Sequence, residues 1–177
     1  YEVSNSVQRL CRVTGKKSGV KNIFVPSSVL IDGIRYRVSS VAADAFTSSD
    51  IESLVVAPGV GSIEGNATSE KGAFYGCTSL KTVLIHADCQ IGEYAFANCT
   101  LLDTLILAEN THVSPESAFS GCEKLRYIYY GGENISSFYS FLPIAVVREK
   151  TAIGICSVGG TVMVPCDYDT YAKPVVM

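Results

Sequence analysis

Residues 72–85 read GAFYGCTSLKTVLI, residues 93–107 read EYAFANCTLLDTLIL, and residues 116–130 read ESAFSGCEKLRYIYY. A more degenerate copy, ADAFTSSDIESLVV, occupies 43–56. The Ala-Phe pairs end at Phe46, Phe74, Phe96 and Phe119, at steps of 28, 22 and 23 residues. Self-similarity at a short period is the signature of a solenoid and outweighs any local reading.

Working outward from the Phe, each copy carries an apolar-x-x-apolar-x-apolar set. These sets are Ile51, Leu54 and Val56; Leu80, Val83 and Ile85; Leu102, Leu105 and Leu107; and Leu125, Ile128 and Tyr130. The last residues of each set alternate in and out, the period of a strand. The earlier Leu and the Ala-Phe pair belong to the return path and point into the same interior. One such unit cannot bury its apolar face alone, but stacked units share a continuous core with a column of phenylalanines.

The pattern AFxxCxxLxxIxI, followed by a V-x-x-I stretch at Val60 to Ile63 and an Ile-Gly at Ile91-Gly92, resembles the BspA-like leucine-rich repeats of bacterial surface proteins. The resemblance covers roughly residues 20–175. It implies a right-handed, mostly β solenoid with a parallel sheet on one face and an irregular or short-helical convex side. It also implies a secreted or cell-surface protein used for adhesion and other binding, with no family-wide catalytic centre. Three departures stand out: Ser48 or Ser49 replaces the Cys in the first copy, residues 64–71 (EGNATSEK) lengthen the second, and Ile-Gly is missing near Val113-Ser114-Pro115.

The 177 residues suit a single domain with an ample core. We divide it into an N-terminal β cap and degenerate repeat (1–41), four repeats (42–130), and a degenerate repeat with C-terminal cap (131–177). Net charge is −3 with mixed signs, which gives no electrostatic footprint for nucleic acid. No apolar run reaches the 18 or more residues of a membrane span. Tyr1 opens the chain without a signal-peptide pattern, so a targeting segment has been removed or the chain is an excised piece.

At the N-terminal end, alternation from Val3 to Val13 with a Gly-Lys-Lys-Ser-Gly turn at 15–19 predicts a β-hairpin or paired strands covering the open end of the solenoid. Asp32-Gly33 predicts a tight hairpin turn within 25–41. Near the other end, 133–142 (ENISSFYSFL) reads as a short amphipathic helix and 144–147 as a strand before a charged turn at Arg148-Glu149-Lys150. Val162 and Val164 are expected to join the repeat sheet, with Tyr168 and Tyr171 over the last core layer. Both ends read as capped, as in a nearly complete ectodomain.

Of seven cysteines, Cys77, Cys99 and Cys122 each follow a repeat Phe by three residues, in the phase of the repeat itself. That phase predicts a ladder of small buried thiols rather than a disulfide framework. Cys156 and Cys166 lie outside the clean repeats and are the pair in which a bridge would be sought. No Cys or His spacing suggests zinc, and no cofactor is expected. His86 and His112, with Asp88 and Glu109 nearby, form no ligand motif and read as solvated turn residues. Cys89, beside Asp88 and near His86, reads as a core or turn thiol rather than a nucleophile.

The outward strand positions carry more information. If Val83 and Ile85 point in, Thr82 and Leu84 point out. One outward column is then Val55, Leu84, Ile106 and Tyr129, and its neighbour is Ser53, Thr82, Thr104 and Tyr127. Four apolar residues in line on an exposed sheet call for a partner, although β-propensity alone also favours Val, Ile, Thr and Tyr on any strand. Flanking charges at Glu52, Lys81, Asp103 and Arg126 alternate in sign. The expectation is a non-catalytic protein-binding or adhesion module that uses Val55, Leu84, Ile106, Tyr127 and Tyr129 against a host matrix or cell-surface protein. The alternative is self-association within a larger surface assembly.

Overall fold

The spacing Phe-x-x-Cys-x-x-Leu has a backbone cause. The Cys77 N–H donates to the Phe74 carbonyl (3.2 Å) and the Leu80 N–H to the Cys77 carbonyl (3.0 Å), and the same two bonds recur at Phe96-Cys99-Leu102 and Phe119-Cys122-Leu125. Consecutive i→i+3 turns eclipse every third side chain. Phe, Cys and Leu therefore line one edge and are buried together. The residue before each Cys position, namely Ser48, Gly76, Asn98 and Gly121, has φ between 54° and 73°. Gly and Asn tolerate that left-handed geometry, whereas Ser48 holds it under strain.

The computed structural model describes residues 1–86, 88–108, 111–114 and 117–125, together with the strand backbones at 127–130, 144–149, 152–157 and 162–164. The strands are β1 (Glu2–Asn5), β2 (Leu10–Val13), β3 (Asn22–Val25), β4 (Ser28–Ile31), β5 (Ile34–Val41), β6 (Ser53–Val56), β7 (Ser62–Ile63), β8 (Gly65–Asn66), β9 (Lys71–Gly72), β10 (Thr82–Ile85), β11 (Gln90–Ile91), β12 (Thr104–Leu107), β13 (His112–Val113), β14 (Tyr127–Tyr130), β15 (Ile144–Glu149), β16 (Ala152–Ser157) and β17 (Val162–Val164). Among the described residues there is no helix, and the return path is built of turns.

The coils of β6, β10 and β12 each give a four-residue strand to one sheet and a two-residue strand to another. The first, the open sheet, runs β14-β12-β10-β6-β3, with every pair parallel. The second runs β1-β2-β5-β7-β11-β13, with β4 paired to β5. In its parallel part Val41, Ile63, Ile91 and Val113 stack in register, all buried. The V-x-x-I stretches thus build a narrow second ladder of their own.

Between the ladders the phenylalanine rings form the expected column. Ring centroids of Phe46, Phe74, Phe96 and Phe119 are 4.8, 5.0 and 5.3 Å apart, with planes within 4° of parallel. The spacing follows from the backbone, because the N–H groups of Phe46, Phe74 and Phe96 donate to Ala73, Ala95 and Ala118 of the next coil at 2.8–2.9 Å. That separation is close to the interstrand spacing of any sheet.

Three details differ from the sequence expectation. The N-terminal hairpin is real, with β1 antiparallel to β2, but its turn lies at 6–9; residues 15–19 instead lead from the second sheet across to β3 in the open sheet. The extra residues of the second repeat fold as their own small hairpin, β8 against β9, capped by the Asn66 side chain accepting from the Thr68 and Ser69 N–H groups. A Cβ at Gly72 would collide with the Ala95 backbone, so glycine lets this hairpin lie on the next coil. Finally, Val162 and Val164 do not join the repeat sheet, because β15, β16 and β17 form a separate antiparallel sheet. Short connections favour pairing between sequence neighbours, and β15 runs on to Glu149 before turning. The Asp32-Gly33 turn is as expected, with φ of 50° and 77° and Ile31 opposite Ile34. The helix expected at 133–142, Cys166, and Tyr168 with Tyr171 lie outside the described residues, as does the Cys156 side chain.

Candidate functional site: the open sheet face

Along β6, β10 and β12 the burial alternates in one phase. Leu54, Val56, Val83, Ile85, Leu105 and Leu107 are buried, while the residues between them are partly exposed. Parallel pairing then aligns the outward residues from coil to coil. Val55, Leu84 and Ile106 stand opposite one another in register, and Tyr129 follows Ile106. Ser53, Thr82 and Thr104 form the adjacent column, continued by Tyr127. The side chains of the two tyrosines lie outside the described residues.

The structure adds a member that the sequence reading missed. Strand β3 pairs with β6 so that Phe24 sits opposite Val55 and Asn22 opposite Ser53. Phe24 is 61% exposed, the most open aromatic on this face among the described residues. The signal was present: Lys21-Asn22-Ile23-Phe24-Val25 matches Glu52-Ser53-Leu54-Val55-Val56 in charge position and alternation. No Ala-Phe pair precedes this stretch, so the repeat template does not register it.

Polar groups edge the columns. The Lys21 ammonium bonds the Glu52 carboxylate at 2.7 Å and holds it below the usual carboxylate range, chiefly through that hydrogen bond. Ser53 donates to the Asn22 side-chain oxygen at 2.8 Å, and Thr104 to the Asp103 carboxylate at 2.8 Å. Main-chain bonds run from the Lys81 N–H to the Glu52 carbonyl and from the Asp103 N–H to the Lys81 carbonyl. Lys21, Glu52, Lys81 and Asp103 are thereby stacked in alternating sign at the strand entries.

The residues considered for chemistry are dispersed. His86 is exposed just past β10, whereas His112 lies in β13 of the second sheet opposite Gln90, so the two are not equivalent positions. Asp88, Cys89 and His112 meet along one groove, but the Cys89 thiol is fully buried and pushed up to about 12 by that burial. A thiol held protonated is a poor nucleophile. Cys11, Cys77, Cys89, Cys99 and Cys122 are buried and unbridged, as the phase of the repeat predicts for its three members. Among the described residues no group of three or more His, Cys, Asp and Glu could hold a metal ion, and no helix is long and apolar enough to cross a membrane.

Comparison with known families matches residues 21–142 to a BspA type leucine rich repeat region, in six copies. The chain belongs to the BspA-type leucine-rich repeat family. Its matched region opens at Lys21, the first residue of the charge column. The leucine-rich repeat fold is similar to that of a leucine rich cell surface protein from Faecalibacterium prausnitzii A2-165, with a TM-score of 0.50 and 23% identity over 71% of this chain and 39% of that one. A leucine-rich repeat protein from Bacteroides capillosus ATCC 29799 gives a TM-score of 0.49 and 26% identity, over 65% of this chain and 80% of that one. The chain spans 39% of the length of the first of these proteins. No curated protein matches it in sequence.

Proposed function

We propose that this leucine-rich repeat chain is a secreted or surface-displayed binding module that engages a protein ligand through its open sheet, without catalysis. The observation that carries the reading is the in-register apolar column of Phe24, Val55, Leu84 and Ile106, in which Phe24 is exposed and the other three are partly exposed. Apolar surface left partly exposed in one continuous line is costly to leave wet and marks recognition surfaces. The alternating charges and the Ser/Thr column supply the polar rim that such interfaces carry around aromatic and aliphatic anchors. Tyr127 and Tyr129, next in the two columns, belong to the proposed face. β-propensity alone would favour Val, Ile, Thr and Phe on any strand, but it does not set the register that places Phe24, 61% exposed, in line with Val55, Leu84 and Ile106.

The test compares wild type with a Leu84→Asp/Tyr129→Ser double variant, in sedimentation across a wide concentration range and in pull-downs from matrix and cell-surface extracts. The reading requires a ligand captured by wild type and lost by the variant at a nearly unchanged melting temperature. Capture unaffected by the variant overturns it. Concentration-dependent size in wild type alone would reassign the face to homotypic assembly.

A further inference from the structure

The two sheets end at different coils. On the second sheet, β2 and β1 continue beyond β5, whereas among the described residues nothing pairs with the outer edge of β3 on the open sheet. The N-terminal hairpin therefore completes only half a coil. Where the other half would lie there is a groove of about 590 Å³, floored by Val13, Ile23, Val25 and Phe46. Its rim includes Val20 and Phe24, which are 40% and 61% exposed.

The backbone along this groove is set up for pairing. The Lys21 and Val25 carbonyls accept from Glu52 and Ala57 on the β6 side. Successive residues of a strand direct their N–H and C=O to opposite sides, so those of Asn22 and Phe24 face the open edge. An unpaired edge of this kind is a template for an added strand. The charges specify what kind. The column at the strand entries runs Asp103, Lys81, Glu52, Lys21, so one more coil in that alternation would bring a carboxylate over Lys21. The groove is lined by Lys16 and Lys17 and by no carboxylate. Lys16 is paired with Asp50, which leaves Lys17 without an ion-pair partner among the described residues.

We propose that this half-built coil, which meets the sheet face at Phe24, docks an extended segment of a partner protein. That segment carries a carboxylate just before a short run of alternating apolar residues, and it adds to β3 as one further parallel strand. Its inward side chains would rest over Ile23 and Val25, and its backbone would pair with Asn22 and Phe24. A second copy of this chain fits less well, because joining two β3 edges sets Lys16, Lys17 and Lys21 of both copies on one seam.

The chain's own coils provide the probes. A fluorescein-labelled peptide of residues 50–57 (DIESLVVA) has the acidic pattern, and one of residues 79–86 (SLKTVLIH) has the same strand pattern with a lysine. By fluorescence anisotropy the intact chain is expected to bind the acidic peptide about tenfold more tightly than the basic one. Phe24→Pro removes an outward N–H together with the exposed ring at the groove rim, a change that an edge strand tolerates, and is expected to abolish binding. Lys17→Glu, a surface change, is expected to reverse the preference between peptides, while Leu84→Asp is expected to leave both affinities unchanged. Any of four results overturns the proposal: no saturable binding of the acidic peptide, equal affinity for the two peptides, binding that survives both Phe24→Pro and Lys17→Glu, or binding lost with Leu84→Asp. A wild-type dimer that Phe24→Pro dissolves also overturns it, in favour of a second copy.

Discussion

The Cys99 thiol donates a hydrogen bond to the carbonyl oxygen of Phe74, 3.2 Å away in the preceding coil. Cys77 does the same to Phe46 at 3.0 Å, and Cys122 to Phe96 at 3.1 Å. Each of these carbonyls also accepts the N–H three residues on, so both its lone pairs are engaged. The repeat thus needs a small side chain with a donor at this position. Replacing Cys99 with Ala removes the donor and leaves a void, at an expected cost of about 1–3 kcal/mol in urea unfolding. Cys99→Ser keeps a donor and should cost less. An Ala variant as stable as wild type would reduce the ladder to packing alone.

Phe96 stacks between Phe74 and Phe119 and is fully buried. Truncation to Ala removes contacts on both faces of the ring and should destabilise by about 3–5 kcal/mol. Phe96→Leu should lose markedly less. Chemical denaturation of the three proteins at one temperature measures the difference.

Ser48 occupies, at φ 54°, the left-handed position that Gly76 and Gly121 fill elsewhere. Ser48→Gly is expected to stabilise by about 0.5–1 kcal/mol, the relief of strain offset by greater freedom in the unfolded chain. The converse substitution, Gly76→Ala, imposes that strain and places a Cβ 3.2 Å from the Ser48 hydroxyl. A rise in melting temperature for the first and a fall for the second is the expected pair of results.

The pH dependence of the charged edge has a definite sign. Lys21 lowers the Glu52 carboxyl below its ordinary value of 4.5, and Lys16 lowers Asp50 below 3.8. A carboxyl depressed in the folded state contributes stability that is present above the unfolded value and lost as pH falls through the folded one. The difference in unfolding midpoint between wild type and Glu52→Gln should therefore exist at pH 7 and close by about pH 2. A difference that persists undiminished in acid would assign it to packing of the side chain.

What could be read in advance was whatever the coil repeats. The positions of Phe74, Phe96 and Phe119, the thiol phase and the inward turn of Val83 against Leu84 recur with one spacing, so each copy checks the others. What escaped lies where the repeat is broken. Phe24 belongs to a coil without its Ala-Phe pair, and the Gly15–Gly19 stretch has the composition of a hairpin turn although it crosses between sheets. The inserted hairpin at 65–72 depends on Gly72 lying against Ala95, a contact between coils that spacing along the chain does not encode. The proposed binding face was legible as a phase and not as a surface, because exposure depends on what the neighbouring coils leave uncovered.

The main-chain bonds of the phenylalanine turns reach only the coil before and the coil after, and those bonds are alike from one coil to the next. Duplicating one period, such as residues 75–96, would insert the same donors and acceptors between unchanged neighbours and lengthen the stack by about 4.8 Å. In-frame gain or loss of a single period is therefore a mild event for this architecture. It alters the length of the stack in fixed increments, while the chemistry presented at each increment stays the same.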